Sequence, residues 1–110
     1  MRHDRLEGMT KGWFVGDFEP HVMRSSDCEV AIKHYRSGDY EAAHYHSVAT
    51  EITAIVSGSV RMLGKDWGAG DILTIEPGET TDFLALTDCV TVVVKAPSAP
   101  NDKFLATAQS

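Results

Sequence analysis

Two histidines one residue apart, His44 and His46, followed by a carboxylate at Glu51, are the side chains of this sequence best suited to hold a metal ion. Imidazole and carboxylate offer lone pairs to Fe(II), Mn(II), Ni(II) or Zn(II) alike, so the donor types point to a divalent transition metal without choosing among them. On a β-strand successive side chains alternate faces, so His44 and His46 point the same way. Glu51 lies an odd number of residues beyond His46, and one straight strand cannot bring all three together. The chain must bend through residues 47–50 and present Glu51 from a neighbouring strand. Gly38 and Gly58 bracket the stretch and suit the turns such a pair of strands needs.

The elements that would position these groups are short and β-branched. Residues 28–36, 50–57, 59–63, 72–76, 81–86 and 89–96 read as strands. Residues 37–39, 57–58, 64–71 and 77–78 between them carry turn chemistry. No segment keeps a helical period, although the tail is expected to form one short helix over 102–107. Many short strands in a chain this size predict an all-β sandwich or barrel. The expected layout is an N-terminal arm with an edge strand (1–24), a barrel core (25–97) and a C-terminal tail (98–110). Trp13, Phe14 and Phe18 of the arm are expected to be exposed, packing on the barrel or on a partner subunit.

At 110 residues the chain is sized for one domain. A net charge of −6 with scattered cations argues against binding nucleic acid or an anionic membrane surface. The first residues are too charged for a secretory signal, and no apolar run approaches membrane-spanning length. Cys28 and Cys89 sit in no CxxC pair and read as free thiols. Together these features point to the cytoplasm.

The spacing Gly38-x5-His44-x-His46-x4-Glu51-x6-Gly58 resembles the first motif of the cupin superfamily at every defined position, with wording similar to germin-like members. Gly70-Asp71 leading to Pro77-Gly78 resembles the start of the second motif. The resemblance implies an all-β cupin-type double-stranded β-helix, or jelly-roll barrel. It also implies a metal on His44, His46 and Glu51, and a homodimer. One departure stands out: where the family's third histidine ligand should fall, this chain has Thr81. Asp82 faces the opposite side by parity and replaces that ligand only if a bulge shifts the register.

Pocket candidates follow from the same alternation. Thr53 and Ile55 continue the Glu51 face, and Phe83 shares a face with Thr81. On residues 28–36 either the His34 set or the Tyr35 set lines the cavity. Lys95, in a run of valines, is either an anchor for an anionic group or a solvent-facing edge lysine. Tyr45 should point away from the ligands. A few polar groups on an apolar wall suit a small organic ligand. The implied functions are a metal-dependent enzyme of dioxygenase or isomerase type on a small polar metabolite, or a non-catalytic, metal-free sugar- or metabolite-binding module.

Overall fold

The β-branched runs pair into two sheets that face each other across a shared interior. The computed structural model describes residues 1–106. It contains β1 (Trp13–Gly16), β2 (Met23–Arg24), β3 (Glu29–Tyr35), β4 (Tyr40–Tyr45), β5 (Thr50–Ser57), β6 (Ser59–Met62), β7 (Lys65–Gly68), β8 (Ile72–Ile75), β9 (Thr81–Ala85), β10 (Cys89–Ala96) and β11 (Phe104–Leu105). One sheet has the order β2-β1-β3-β10-β5-β8 and the other β11-β4-β9-β6-β7. All pairings are antiparallel except β1 with β2. The architecture is the expected all-β jelly roll.

Three local expectations are corrected. Residues 64–71 are not all turn, because β7 pairs with β6 in a hairpin through Leu63 (φ 55°) and Gly64 (φ 73°). Two positive φ values match the twist of a two-residue hairpin, and they place the turn there. The tail does not turn into a helix over its described part: Phe104 and Leu105 pair with Tyr45 and His44, where an unpaired strand edge offers more hydrogen bonds than one isolated turn could. Thr107, the end of the expected helix, lies outside the described residues. Trp13, Phe14 and Phe18 are half-buried rather than exposed, since β1 is hydrogen-bonded into the larger sheet beside β3.

Strand β4 carries the irregularity that matters most for the interior. Glu41 pairs with Phe83 and His44 with Thr81, so two residues of β4 face one of β9 between them. This extra residue is a β-bulge, and it resets the alternation so that Glu41 and His44 both face inward.

The inner faces divide the interior in two. Along β5, Glu51 and Thr53 line a cavity and Ile55 enters the apolar core; along β9, Thr81 and Phe83 line it and Ala85 is core. On β10 the series runs from Lys95, Val93 and Thr91 to Cys89. Ile55, Val60, Met62, Leu73, Ile75 and Phe83 supply most of the core, each contributing about 1.5–3 kcal/mol by leaving water. A packed end thus supports an open polar end.

Candidate metal centre and its cavity

His44 comes from the end of β4, His46 from the first residue of the bend at 46–49 that follows it, and Glu51 from the start of β5. One donor atom of each lies within 4.8 Å of the others. The ring partners fix the tautomers. His44 Nδ1 lies 3.0 Å from the Ala42 carbonyl oxygen, and His46 Nδ1 bonds the Asp102 carbonyl oxygen. A carbonyl can only accept, so both Nδ1 atoms carry hydrogen and, in neutral rings, both Nε2 atoms present lone pairs. This is the outer-shell arrangement that fixes a metal-binding imidazole.

His46 Nε2 faces Glu51 Oε1 at 3.1 Å, and the Thr53 hydroxyl donates to Glu51 Oε2 at 3.1 Å. Two lone pairs at that separation need a proton or a cation between them. The contact with Glu51 raises the His46 pKa against the effect of burial, with the Asp102 carbonyl adding to it. Burial pushes the Glu51 carboxyl up, but the bonds from His46 and Thr53 outweigh it and leave it below its ordinary value. The donor set fits a divalent metal: two oriented imidazoles and one carboxylate already held ionised.

The bend is built by a residue far along the chain. Asp102 Oδ1 accepts from the Ser47 amide (2.9 Å) and hydroxyl (2.7 Å), and Oδ2 accepts from the amides of Val48 (3.0 Å) and Ala49 (2.9 Å). Its own carbonyl holds His46. Burial opposes the charge on Asp102, but the bonds from Ser47, Ala49 and Val48 win and bring its pKa down to about 2. No sequence pattern near residue 46 announces this partner.

A cavity of about 280 Å³ opens over the three donors. Lys11, Lys33, Lys95 and Lys103, four of the five lysines of the chain, line it. Trp13 lies on the same wall, with the ammonium groups of Lys95 and Lys33 at 4.7 and 5.4 Å from its ring centroid. Next to Lys33 on the inner face of β3, the Tyr35 hydroxyl donates to Glu41 at 3.2 Å, and the Tyr35 ring packs on Phe83 at 4.3 Å between centroids. Burial, then the Glu41 charge, pushes the Tyr35 pKa upward, so the phenol keeps its proton.

Among the expected pocket residues, Thr53, Thr81, Phe83 and Tyr35 line this cavity. Ile55 does not, because two residues beyond Thr53 the β5 inner face has already entered the core, where Ile55 is fully buried. His34 does not either: β3 turns Lys33 and Tyr35 inward and leaves His34 exposed. Thr81 is no substitute ligand, since its hydroxyl accepts from the Leu63 amide at 3.0 Å and donates to the Asp82 carbonyl at 2.7 Å. Asp82 accepts from the Tyr40 hydroxyl at 3.0 Å and is not grouped with the three donors. Tyr45 turns away and stacks on Phe104. Lys33 lines the cavity with Tyr35, whose set it shares by alternation; sequence reasoning missed Glu41, hidden by the bulge, and Trp13 and Thr91 as cavity residues, which no motif flagged.

No protein-family model and no curated protein matches this sequence. Solved structures do match by shape. An uncharacterized conserved protein with a double-stranded β-helix domain from Klebsiella pneumoniae superposes with a TM-score of 0.67 at 26% identity, over 74% of this chain and 72% of that one. The DMSP lyase DddQ of Ruegeria pomeroyi gives 0.72 at 18% identity, over 89% of this chain and 51% of the lyase. The oxalate decarboxylase of Bacillus subtilis, which has Mn(II) centres, gives 0.64 at 20% identity, over 74% of this chain and 24% of that one.

Proposed function

We propose, taking the chain as the cupin-superfamily domain that its fold shows it to be, that it is a metal-dependent enzyme acting on a small polar metabolite. The observation that carries this reading is the facing pair of lone pairs at His46 Nε2 and Glu51 Oε1, with His44 completing the set within 4.8 Å. His44, His46 and Glu51 would hold the ion, and two enzymes of the same fold, one with Mn(II) centres, keep company with it. A divalent metal held there supplies a Lewis acid for a carbonyl or carboxylate oxygen. The chain's own groups do the rest. Tyr35 keeps its proton and donates a hydrogen bond to Glu41, so the pair gives the cavity a fixed polar wall against which a ligand is oriented. Phe83 and Met62 exclude water from one wall.

Metal analysis of protein purified without chelator tests the reading. Near-stoichiometric Fe, Mn, Ni or Zn is expected, and its loss from a folded His44→Ala/His46→Ala variant. If wild-type chains carry almost no metal and added metal neither binds nor raises the melting temperature, a metal-free binding module is the better account.

A homodimer in the cytoplasm is the proposed setting. The outer face of the larger sheet is apolar: Ile52, Val56, Ile72, Val90, Val92 and Val94 point away from the interior on adjacent strands. Strands apolar on both faces are those covered on both faces. The patch is uncharged, so a second copy meets it without like-charge repulsion, and a two-fold interface is self-complementary. Light scattering should give a dimer for the wild type and a monomer for Ile72→Glu. Ile72 is 66% exposed, so the change spares the monomer's packing. A monomeric wild type would refute this interface.

A further inference from the structure

We infer that the lysine wall of the cavity is a subsite for an anionic group, so that the metabolite is a small organic anion held with one end toward the metal donors and an anionic oxygen group between Lys33 and Thr91. The inference rests on the proposed function for the first end only.

Several independent observations lead there. The chain has a net charge of −6, yet four of its five lysines line one cavity of about 280 Å³. That concentration of cations is opposite to the chain's average and focuses a positive field where a ligand enters. Among the described residues only Lys95 of the four is in an ion pair, with Glu29 at 3.3 Å. Lys33, half-buried against Trp13, pairs with no carboxylate; burial leaves its pKa below the ordinary lysine value, against the charge of Glu41 and with the like charges of Lys103, Lys11 and Lys95 adding to the lowering. The carboxylates on the cavity wall are otherwise engaged: Glu41 by Tyr35, Glu51 by His46 and Thr53, Asp82 by Tyr40.

The Thr91 hydroxyl makes the site specific. Thr91 is fully buried, lines the cavity, and its Oγ1 has no hydrogen-bond partner among the described residues. A buried hydroxyl left unpaired is costly and rare in a folded chain. Thr91 is the cross-strand partner of Lys33 in the β3–β10 pairing. An anionic oxygen lying there accepts from the hydroxyl and neutralises the ammonium together. Lys95, four residues further along β10 and paired with Glu51 on β5, stands level with the metal donors. The cavity, at about 280 Å³, is of the size that takes a compact metabolite.

Calorimetric titration with malonate, succinate, their neutral diamides and glycerol phosphate tests the subsite. It is run on Mn(II)-loaded wild type and on the His44→Ala/His46→Ala variant. One of the anions is expected to bind with an affinity that falls with salt, and the diamides at least tenfold more weakly. Lys33→Met and Thr91→Val are each expected to weaken the anion about tenfold or more, as loss of a hydrogen bond to a charged group does. Thr91→Val removes an unpaired hydroxyl and keeps the shape, so its melting temperature should hold or rise, which separates lost binding from lost folding. Tighter glycerol phosphate than dicarboxylate assigns the anion to a phosphate ester; the reverse assigns it to a carboxylate. The subsite is overturned if both variants bind as wild type does, if the diamides bind as well as the anions, or if no anion binds either form. Lysine-dependent binding by wild-type chains that take up no metal would leave the subsite standing and remove the metal reading. Stoichiometric metal with binding indifferent to Lys33 and Thr91 would do the opposite.

Discussion

Asp102→Ala is expected to melt roughly 10–20 °C below the wild type, corresponding to a loss of about 3 kcal/mol in a domain of this size. The carboxylate takes the amides of Ser47, Val48 and Ala49 and the Ser47 hydroxyl, at 2.7–3.0 Å, and is buried while doing so. Alanine leaves those donors without their acceptor in a bend that has no regular pairing of its own. Metal affinity should fall about tenfold or more as well, because the Asp102 carbonyl orients His46 and an outer-shell partner is worth that much. Asp102→Asn, which keeps one acceptor oxygen, should fall between.

The same carboxylate gives the wild type an acid limb. Its pKa is about 2 in the folded chain against an ordinary 3.8, so the folded state favours the ionised form. A depressed pKa contributes stability that is complete above the unfolded value and fades as pH falls through the folded one. Melting temperature should therefore decline from about pH 4 to about pH 2, and Asp102→Ala should lack that part of the decline. An identical acid limb in the variant would show that other carboxyls produce it.

Gly58→Ala is expected to cost more than about 3 kcal/mol, and Gly38→Ala only about 1 kcal/mol, although the two glycines bracket the same stretch. Both have positive φ, 82° at Gly58 and 93° at Gly38, which alone disfavours a side chain. They differ in their surroundings. A Cβ at Gly58 would lie 2.2 Å from the Asp88 carbonyl oxygen and 2.9 Å from Cys89 Cα, backbone that cannot yield without displacing β10. A Cβ at Gly38 would meet nothing within 4 Å. Urea unfolding of the two variants side by side, with the slope checked for constancy, measures the difference.

That pair shows what the sequence carried and what it did not. The position of each glycine was legible from spacing, whereas the consequence of Gly58 depends on Asp88, thirty residues away in the chain. The β-branched runs of β3, β5, β8, β9 and β10 were readable because each packs one alternate set inward. β7 was not, since Lys65, Asp66 and Gly68 have turn composition and only the backbone of Leu63 and Gly64 makes a hairpin of them. His44, His46 and Glu51 could be grouped from spacing and turn logic. Glu41 could not, because strict alternation puts it opposite His44 and only a bulge brings it back. Lys33 and Thr91 became a pair only when β3 was registered against β10.

The cap on the 46–49 bend also has a consequence for how the protein is made. Asp102 lies 53 residues beyond Ala49, and β1 through β10 all precede it in the chain. On a ribosome, every one of those strands emerges first, and His46 stays unset until the residue that holds its ring has followed. Until Asp102 has joined the bend, His44, His46 and Glu51 are three side chains on a segment without its cap.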